Sequence, residues 1–143
     1  MNLFRLLLLV TFLFLSSCTV GIGTRPQGDI EIPESEMSVR EELSFGSDIY
    51  EVGTVSEEDW QQFLGEVVTP RFPEGFTVLS GYGQYMMKNG EIVKEQSWTI
   101  IVHLPALTIE KDRAIEEIIA AYKQRFKQES VLRATSKARV RLE

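Results

Sequence analysis

The pattern of apolar and polar residues along this chain predicts four strands and two helices. In the segment 39–45 every second residue is apolar, with Glu41 as the one exception, and the residues between are polar. An alternation of period two is typical of a strand with one buried face. We therefore predict that the folded domain opens with a short, half-buried strand beginning at Val39.

Two later segments have the spacing of amphipathic helices. Ser56 precedes three consecutive acidic residues, which is typical of a helix N-terminus. The apolar positions that follow share one helical face: Trp60, Phe63, Leu64 and Val67. Pro70 ends this helix. Thr108 caps a second helix. Its apolar stripe comprises Ile115, Ile118, Ile119, Tyr122 and Phe126.

A strand and a turn are predicted directly after the first helix. The strand begins at Phe76, and two glycines, Gly81 and Gly83, interrupt it. Glycines inside a strand indicate either a bulge or a close backbone approach. The pair Asn89-Gly90 predicts a two-residue hairpin turn, because both residues tolerate a positive φ.

The returning strand of this hairpin is long and has two different faces. It spans 92–104, and Trp98 lies on its apolar face. Glu95 and Ser97 lie on the opposite face, because successive side chains of a strand alternate. A last strand closes the chain, since apolar and charged residues alternate over 138–143.

The order of these elements predicts the fold class. Strand, helix, strand, strand, helix and strand make an α+β domain of the ferredoxin-like βαββαβ type, a two-layer sandwich. Both helices then cover one face of an antiparallel sheet and leave the other face open. Another two-layer α+β sandwich with a different strand order is the alternative.

The N-terminus resembles a bacterial lipoprotein signal. Arg5 precedes an apolar run that ends at Leu15, and two serines and Cys18 follow. The run is shorter than the roughly 20 residues of a transmembrane helix. We predict that residues 1–17 are a signal peptide and that Cys18 carries acyl chains, which anchor the protein stably in a membrane. The alternatives are an ordinary signal peptide with an incidental cysteine and a transmembrane anchor.

Residues 18–38 are predicted to be the lipidated cysteine and a flexible tether, because glycine, proline and acidic residues dominate without any period. Packing of part of this segment as an edge strand is the alternative. The single folded domain then spans 39–143.

Thr19 after the cysteine resembles the signal for the outer membrane of a host with two membranes. The predicted location is the cell envelope, facing the periplasm in such a host.

Composition narrows the classes of partner and chemistry. The 143 residues have a formal net charge of -6, which argues against nucleic acid and against electrostatic adhesion to anionic lipid. One cysteine cannot form an intramolecular disulfide, and one histidine, His103, cannot build a zinc site without other ligands. No nucleophile motif surrounds His103, so we expect a surface histidine. The sequence predicts no cofactor and no metal site.

Three stretches of the folded region have the pattern of a known family: VSEEDWQQFLGEVVTPRFPEGFTVLSGYGQY, EIVKEQSW and YKQRFKQESVLR. They resemble an uncharacterised family of small secreted bacterial proteins, domain of unknown function three-five-seven-four. The residues that match the family pattern are Trp60, Phe63, Pro70, Arg71, Phe72, Pro73, Gly75, Gln84, Glu95, Ser97, Phe126, Gln128, Glu129, Ser130 and Arg133. Tyr85 departs from it, because the family more often has tryptophan there. The resemblance implies kinship and no activity.

A set of polar residues in this pattern forms the candidate site. Its members are Arg71, Gln84, Glu95, Ser97, Gln128, Glu129 and Arg133. One interpretation is that Arg71 and Arg133 pair with Glu95 or Glu129 and clamp the turn and the last strand. The other is that these residues bind a ligand on the open face of the sheet.

Three functions remain open at this point. The first is a lipid-anchored, non-catalytic domain of the cell envelope that binds a small molecule or another envelope protein. The second is an enzyme that acts on a small molecule in a cavity enclosed by a homodimer through the open sheet face, by analogy with other domains of this fold. The third is a structural accessory protein. The scarcity of catalytic residue types favours the first.

Overall fold

The structure is a computed structural model that describes residues 32–49 and 52–143. The predicted signal peptide, Cys18 and most of the predicted tether lie outside the described residues. The main sheet is antiparallel and has four strands: β1 (Met37–Gly46), β4 (Thr77–Met86), β5 (Ile92–Leu104) and β6 (Leu132–Arg139). Their spatial order is β4-β5-β1-β6. The prediction of an α+β domain with an antiparallel sheet and two helices is confirmed.

A small hairpin and two helices complete the fold. The hairpin follows β1 and consists of β2 (Asp48–Ile49) and β3 (Gly53–Thr54). Helix α1 (Glu57–Phe63) begins at Ser56, whose hydroxyl accepts a hydrogen bond from the Asp59 N–H at 3.1 Å. Helix α2 (Ile109–Phe126) begins at Thr108, whose hydroxyl accepts from the Lys111 N–H at 3.3 Å. Both helices therefore start where the capping residues predicted.

The core lies between the two helices and one face of the sheet. Trp60 of α1 stacks on Trp98 of β5, with ring centroids 4.8 Å apart, and both rings are buried. Tyr122 of α2 contacts Phe45 of β1 edge-on, with centroids 4.7 Å apart. The Tyr122 hydroxyl donates a hydrogen bond to the Gly46 carbonyl at 2.8 Å, so α2 holds the end of β1 from the helix side.

The end of α1 differs from the predicted regular helix. The chain continues through a π-helical turn over Leu64–Val68, in which the Thr69 N–H donates to the Leu64 carbonyl at 2.8 Å. A π turn adds one residue to the spacing. Val68 is therefore buried, whereas the predicted Val67 is only half-buried.

The β4–β5 hairpin also differs from its prediction. Strand β4 pairs with β5 without a break from Thr77 to Met86, so of the two alternatives for its glycines the bulge is absent from this ladder, whereas Gly83 lies close to the Glu95 side chain. The connection has three residues between Met87 and Glu91, and Gly90 supplies the positive φ of 87°. A type I turn closed by such a glycine is the usual three-residue form. The predicted two-residue turn is wrong by one residue.

The first and last described segments meet along β6. Strand β1 begins at Met37, two residues before the predicted domain boundary. Ahead of it, the Glu36 carboxylate contacts Arg139 at 2.6 Å, and Glu34 pairs with Lys137. Strand β6 ends at Arg139, so the alternating residues 140–143 follow the strand and do not belong to it. These ion pairs hold the chain that precedes β1 against the end of β6.

Candidate functional site

A cavity lies on the sheet face opposite the helices. It has a volume of about 920 Å³ and sits where β1 ends, between the β4–β5 hairpin and the connection from α2 to β6. The residues that line it are Ser44, Gly46, Asp48, Tyr85, Met86, Met87, Lys88, Asn89, Glu95, Ser97, Lys127, Gln128, Glu129, Ser130 and Leu132. The volume falls within the usual range for small-molecule sites, about 300–1,000 Å³.

Glu95 is held against the backbone of the two strands that flank β5. A Cβ added to Gly46 of β1 would lie 2.6 Å from the Glu95 Oε2, and one added to Gly83 of β4 would lie 3.4 Å from its Cγ. The Asp48 N–H donates a hydrogen bond to the Glu95 Oε2 at 2.8 Å. Two glycines and one backbone donor thus position the carboxylate. Its Oε1 makes no hydrogen bond to any residue that the structure describes.

The peptide group of Asp48 is held from both sides. Its N–H is bound by Glu95, and its carbonyl accepts a hydrogen bond from Gln128 Nε2 at 2.6 Å. Gln128 follows Lys127, which ends α2 in the left-handed conformation with a φ of 52°. This bend turns the chain from the helix toward the cavity. Gln128 is therefore a residue that fixes the cavity wall.

Tyr85 stands on the open face beside these carboxylates and is half-exposed. Burial raises the pKa of the Tyr85 phenol above its ordinary value, and the negative charges of Glu95, Asp48 and Glu129 raise it further. All three carboxylates therefore act on one region of the cavity. At neutral pH the phenol stays protonated and can donate a hydrogen bond.

The structure brings together only part of the predicted site. Glu95, Ser97 and Glu129 line the cavity, and Gln128 supports it. Gln84 pairs with Lys94, the register position next to the Gly83–Glu95 pair. Its side chain therefore points to the other face of the sheet, and Gln84 is absent from the cavity lining.

Arg133 lies on the helix side of β6, outside the cavity lining, and does not pair with Glu95 or Glu129. Its guanidinium donates to the Glu41 carboxylate at 2.9 Å, to Asp112 at 2.7 Å and to Glu116 at 2.8 Å. The hydrogen bond to Glu41 is the main cause that raises the pKa of Arg133. The expected clamp on the last strand thus exists, but with other carboxylates.

Glu41 is fully buried and is the residue that interrupted the apolar alternation of β1. Thr135, its register partner on β6, donates to its Oε1 at 2.9 Å. An acidic residue at an inward position predicts a buried partner, because an unpaired buried charge is costly. That signal was available in the sequence, although the partner's identity was not.

Arg71 also has a partner that differs from the expected one. Its Nε donates to Glu117 of α2 at 3.2 Å, and its Nη1 donates to the Val67 carbonyl at 2.7 Å. Arg71 follows the π turn directly, so it lies in the helix layer next to α2. Glu95 and Glu129 line a cavity on the other side of the sheet, and the expected pairing of Arg71 with them is wrong.

Other features of the described residues add no second centre of chemistry. His103 is exposed and borders a separate crevice of about 270 Å³ beside Phe72. No group of three or more His, Cys, Asp or Glu side chains arranged for a metal ion occurs in the part of the chain that the structure describes. Over the same residues, no helix combines the length and apolar character needed to cross a membrane.

Comparisons with known proteins give a family and a fold. The sequence model of DUF3574, described as a protein of unknown function, matches residues 40–142. No curated protein matches the chain significantly. A phage SAM lyase in complex with S-methyl-5'-thioadenosine is similar in structure, with a TM-score of 0.56 and 20% identity over 78% of this chain and 88% of that one. A phage SAM lyase in the apo state is also similar, with a TM-score of 0.55 and 19% sequence identity over 76% of this chain and 87% of that one. At these sequence identities, the structural similarity shows a similar fold only.

Proposed function

The chain belongs to the DUF3574 family of proteins of unknown function, and from this premise we propose that its domain binds a small molecule in the open-face cavity. The observation that carries the proposal is the position of Glu95 in a cavity of about 920 Å³. Its carboxylate is oriented by Gly46, Gly83 and the Asp48 N–H before any ligand arrives. Preorganisation of this kind favours binding, because little side-chain order is lost on association.

The composition of the lining supports a small ligand. Apolar surface from Met87 and Leu132 lies beside the polar groups of Glu95 and Ser97. Small-molecule sites usually combine apolar walls with a few placed polar groups that orient the ligand.

The cellular setting and the detailed fold are part of the same proposal. We place the domain in the cell envelope, anchored through acyl chains on Cys18, because the N-terminus resembles a lipoprotein signal. We assign the fold to the ferredoxin-like type, with the element order βαββαβ and the strand order β4-β5-β1-β6 in support.

An enzyme acting on a small molecule in the same cavity is the second candidate. A protonated Tyr85 phenol next to Glu95 offers an acid and a carboxylate in one place. The similar fold of a phage SAM lyase makes SAM the first substrate to test. Enclosure of the cavity by a second copy across the open face is the arrangement that the sequence suggested for an enzyme.

Substitution of Ser97 by tyrosine is expected to abolish ligand binding. Ser97 pairs with Gly46 and Gly81 on its two sides, so a ring at this position would fill the cavity over bare backbone. Native mass spectrometry of the full-length chain, released from detergent, reads the bound ligand and the number of chains together. A small molecule that co-purifies with the wild type should be missing from Ser97→Tyr.

The matched control is His103→Tyr, which places the same ring on the same face of β5 but outside the cavity. It should retain the ligand. A wild-type chain that carries no ligand and binds none from a fragment library, or equal retention by Ser97→Tyr, would refute the cavity as a binding site.

The second candidate predicts turnover that depends on Glu95. The full-length chain incubated with SAM should release S-methyl-5'-thioadenosine, detected by mass spectrometry, and Glu95→Gln should lower the rate at least about 100-fold, the lower end of the range for a lost acid–base group. Release at the uncatalysed rate by the wild type would exclude this reaction and leave the binding proposal intact.

A further inference from the structure

The charged side chains that line the cavity differ in how far they are exposed to solvent. Asp48 and Glu95 are half-buried, whereas Lys88, Lys127 and Glu129 are exposed. Exposed charges are screened by water and salt, and half-buried charges act more strongly on a bound group. The field inside the cavity is therefore set by the two carboxylates, although lysines border its rim.

The hydrogen bonding of the Glu95 carboxylate indicates which chemical group of a ligand it can bind. Its Oε2 is already bound by the Asp48 N–H, and its Oε1 makes no hydrogen bond within the described part of the chain. A carboxylate oxygen accepts and does not donate, so the ligand atom must carry a proton or a positive charge.

Apolar and aromatic surface lies within reach of the same carboxylate. Tyr85 stands on the same face of the sheet as Glu95, and Met87 and Leu132 border the cavity. A cation over an aromatic face gains further attraction from the ring. Burial of an apolar body against these side chains adds the hydrophobic term.

Resting on the proposed function, we propose that the cavity selects an organic cation: a small molecule with a protonated amine or other cationic centre at Glu95 and an apolar or aromatic body against Tyr85, Met87 and Leu132. Glu95 is its recognition residue. Gly46 is a positioning residue, because any side chain there would displace the carboxylate from its seat.

The test compares three probes that share one body and differ in charge. Tyramine is cationic, tyrosol is its neutral alcohol, and hydroxyphenylacetate is anionic. Saturation-transfer NMR on the full-length chain gives their affinities. The wild type should bind tyramine about tenfold more tightly than tyrosol, as expected for one charge-assisted hydrogen bond, and hydroxyphenylacetate most weakly.

Two variants separate recognition from simple charge. Glu95→Gln should bring the tyramine and tyrosol affinities to within about twofold of each other, since the residual difference of a neutral acceptor is small. Gly46→Ala keeps every charge but moves the carboxylate, and it should reduce the preference as well. Survival of the full preference in either variant would overturn the role of Glu95.

The outcomes also separate this inference from the proposed function. Equal binding of the three probes by the wild type, lost in Ser97→Tyr, would overturn the preference for a cation and keep the binding site. Failure of the wild type to bind tyramine would overturn this inference alone, whereas binding that Ser97→Tyr does not reduce would overturn both.

Discussion

Replacement of Arg133 by methionine is expected to lower the free energy of unfolding by about 3–5 kcal/mol, the range for breaking a buried ion pair from one side. The variant leaves Glu41 fully buried with Thr135 as its remaining side-chain donor among the described residues. It also leaves Asp112 and Glu116 close together without the cation between them. Urea denaturation followed by the fluorescence of the buried Trp60 and Trp98 measures the loss.

The control for this variant is Arg113→Met. Arg113 is an exposed arginine of α2 that pairs with Glu117 at 3.2 Å. An exposed pair of this kind contributes about 0.2–1 kcal/mol, so the control should change the free energy of unfolding little. The double variant Glu41→Met with Arg133→Met should recover much of the loss, because apolar replacement of a whole buried pair is often neutral. Equal destabilisation by the two arginine substitutions would contradict a special role of Arg133.

Substitution of Cys18 by alanine is expected to abolish the incorporation of labelled palmitate and to move the protein from the membrane fraction to the soluble fraction. The predicted anchor consists of acyl chains on this one residue, and several chains on one cysteine exceed the marginal hold of a single chain. The measurement is fractionation of a bacterial host that expresses the full-length chain, with palmitate labelling in parallel.

Ser17→Ala is the matched control, because it keeps both the cysteine and a small residue before it. It should label and fractionate as the wild type does. Palmitate incorporation that survives in Cys18→Ala, or an unchanged distribution between the fractions, would refute lipidation at this residue. Neither result would bear on the cavity.

Local sequence signals predicted the elements well. The caps Ser56 and Thr108 placed both helix starts, and the alternation of 92–104 placed β5 at its observed bounds. These signals act within one turn or one strand, where a few neighbouring residues decide the conformation. The π turn after Phe63 escaped prediction, because a one-residue insertion leaves the composition of a helix unchanged.

The candidate site was predicted less completely, because it depends on distant parts of the chain meeting. The predicted Glu95 and Ser97 line the cavity, but its other walls come from Gly46, Tyr85 and the connection after α2. No signal within one stretch of the sequence indicates that these parts of the chain meet. The partners of Arg71 and Arg133 escaped for the same reason: several carboxylates were compatible with each arginine until the layers were known.

The ion pairs of Glu34 and Glu36 with β6 fix where the chain ahead of β1 joins the domain. They hold the preceding chain at the Met37 end of β1, whereas the cavity lies at the Gly46 end. A strand of ten residues is about 30 Å long. The chain before β1 therefore enters the domain at the opposite end of this strand from the cavity. A tag or support coupled directly ahead of Met37 would join the domain about one strand length away from the cavity.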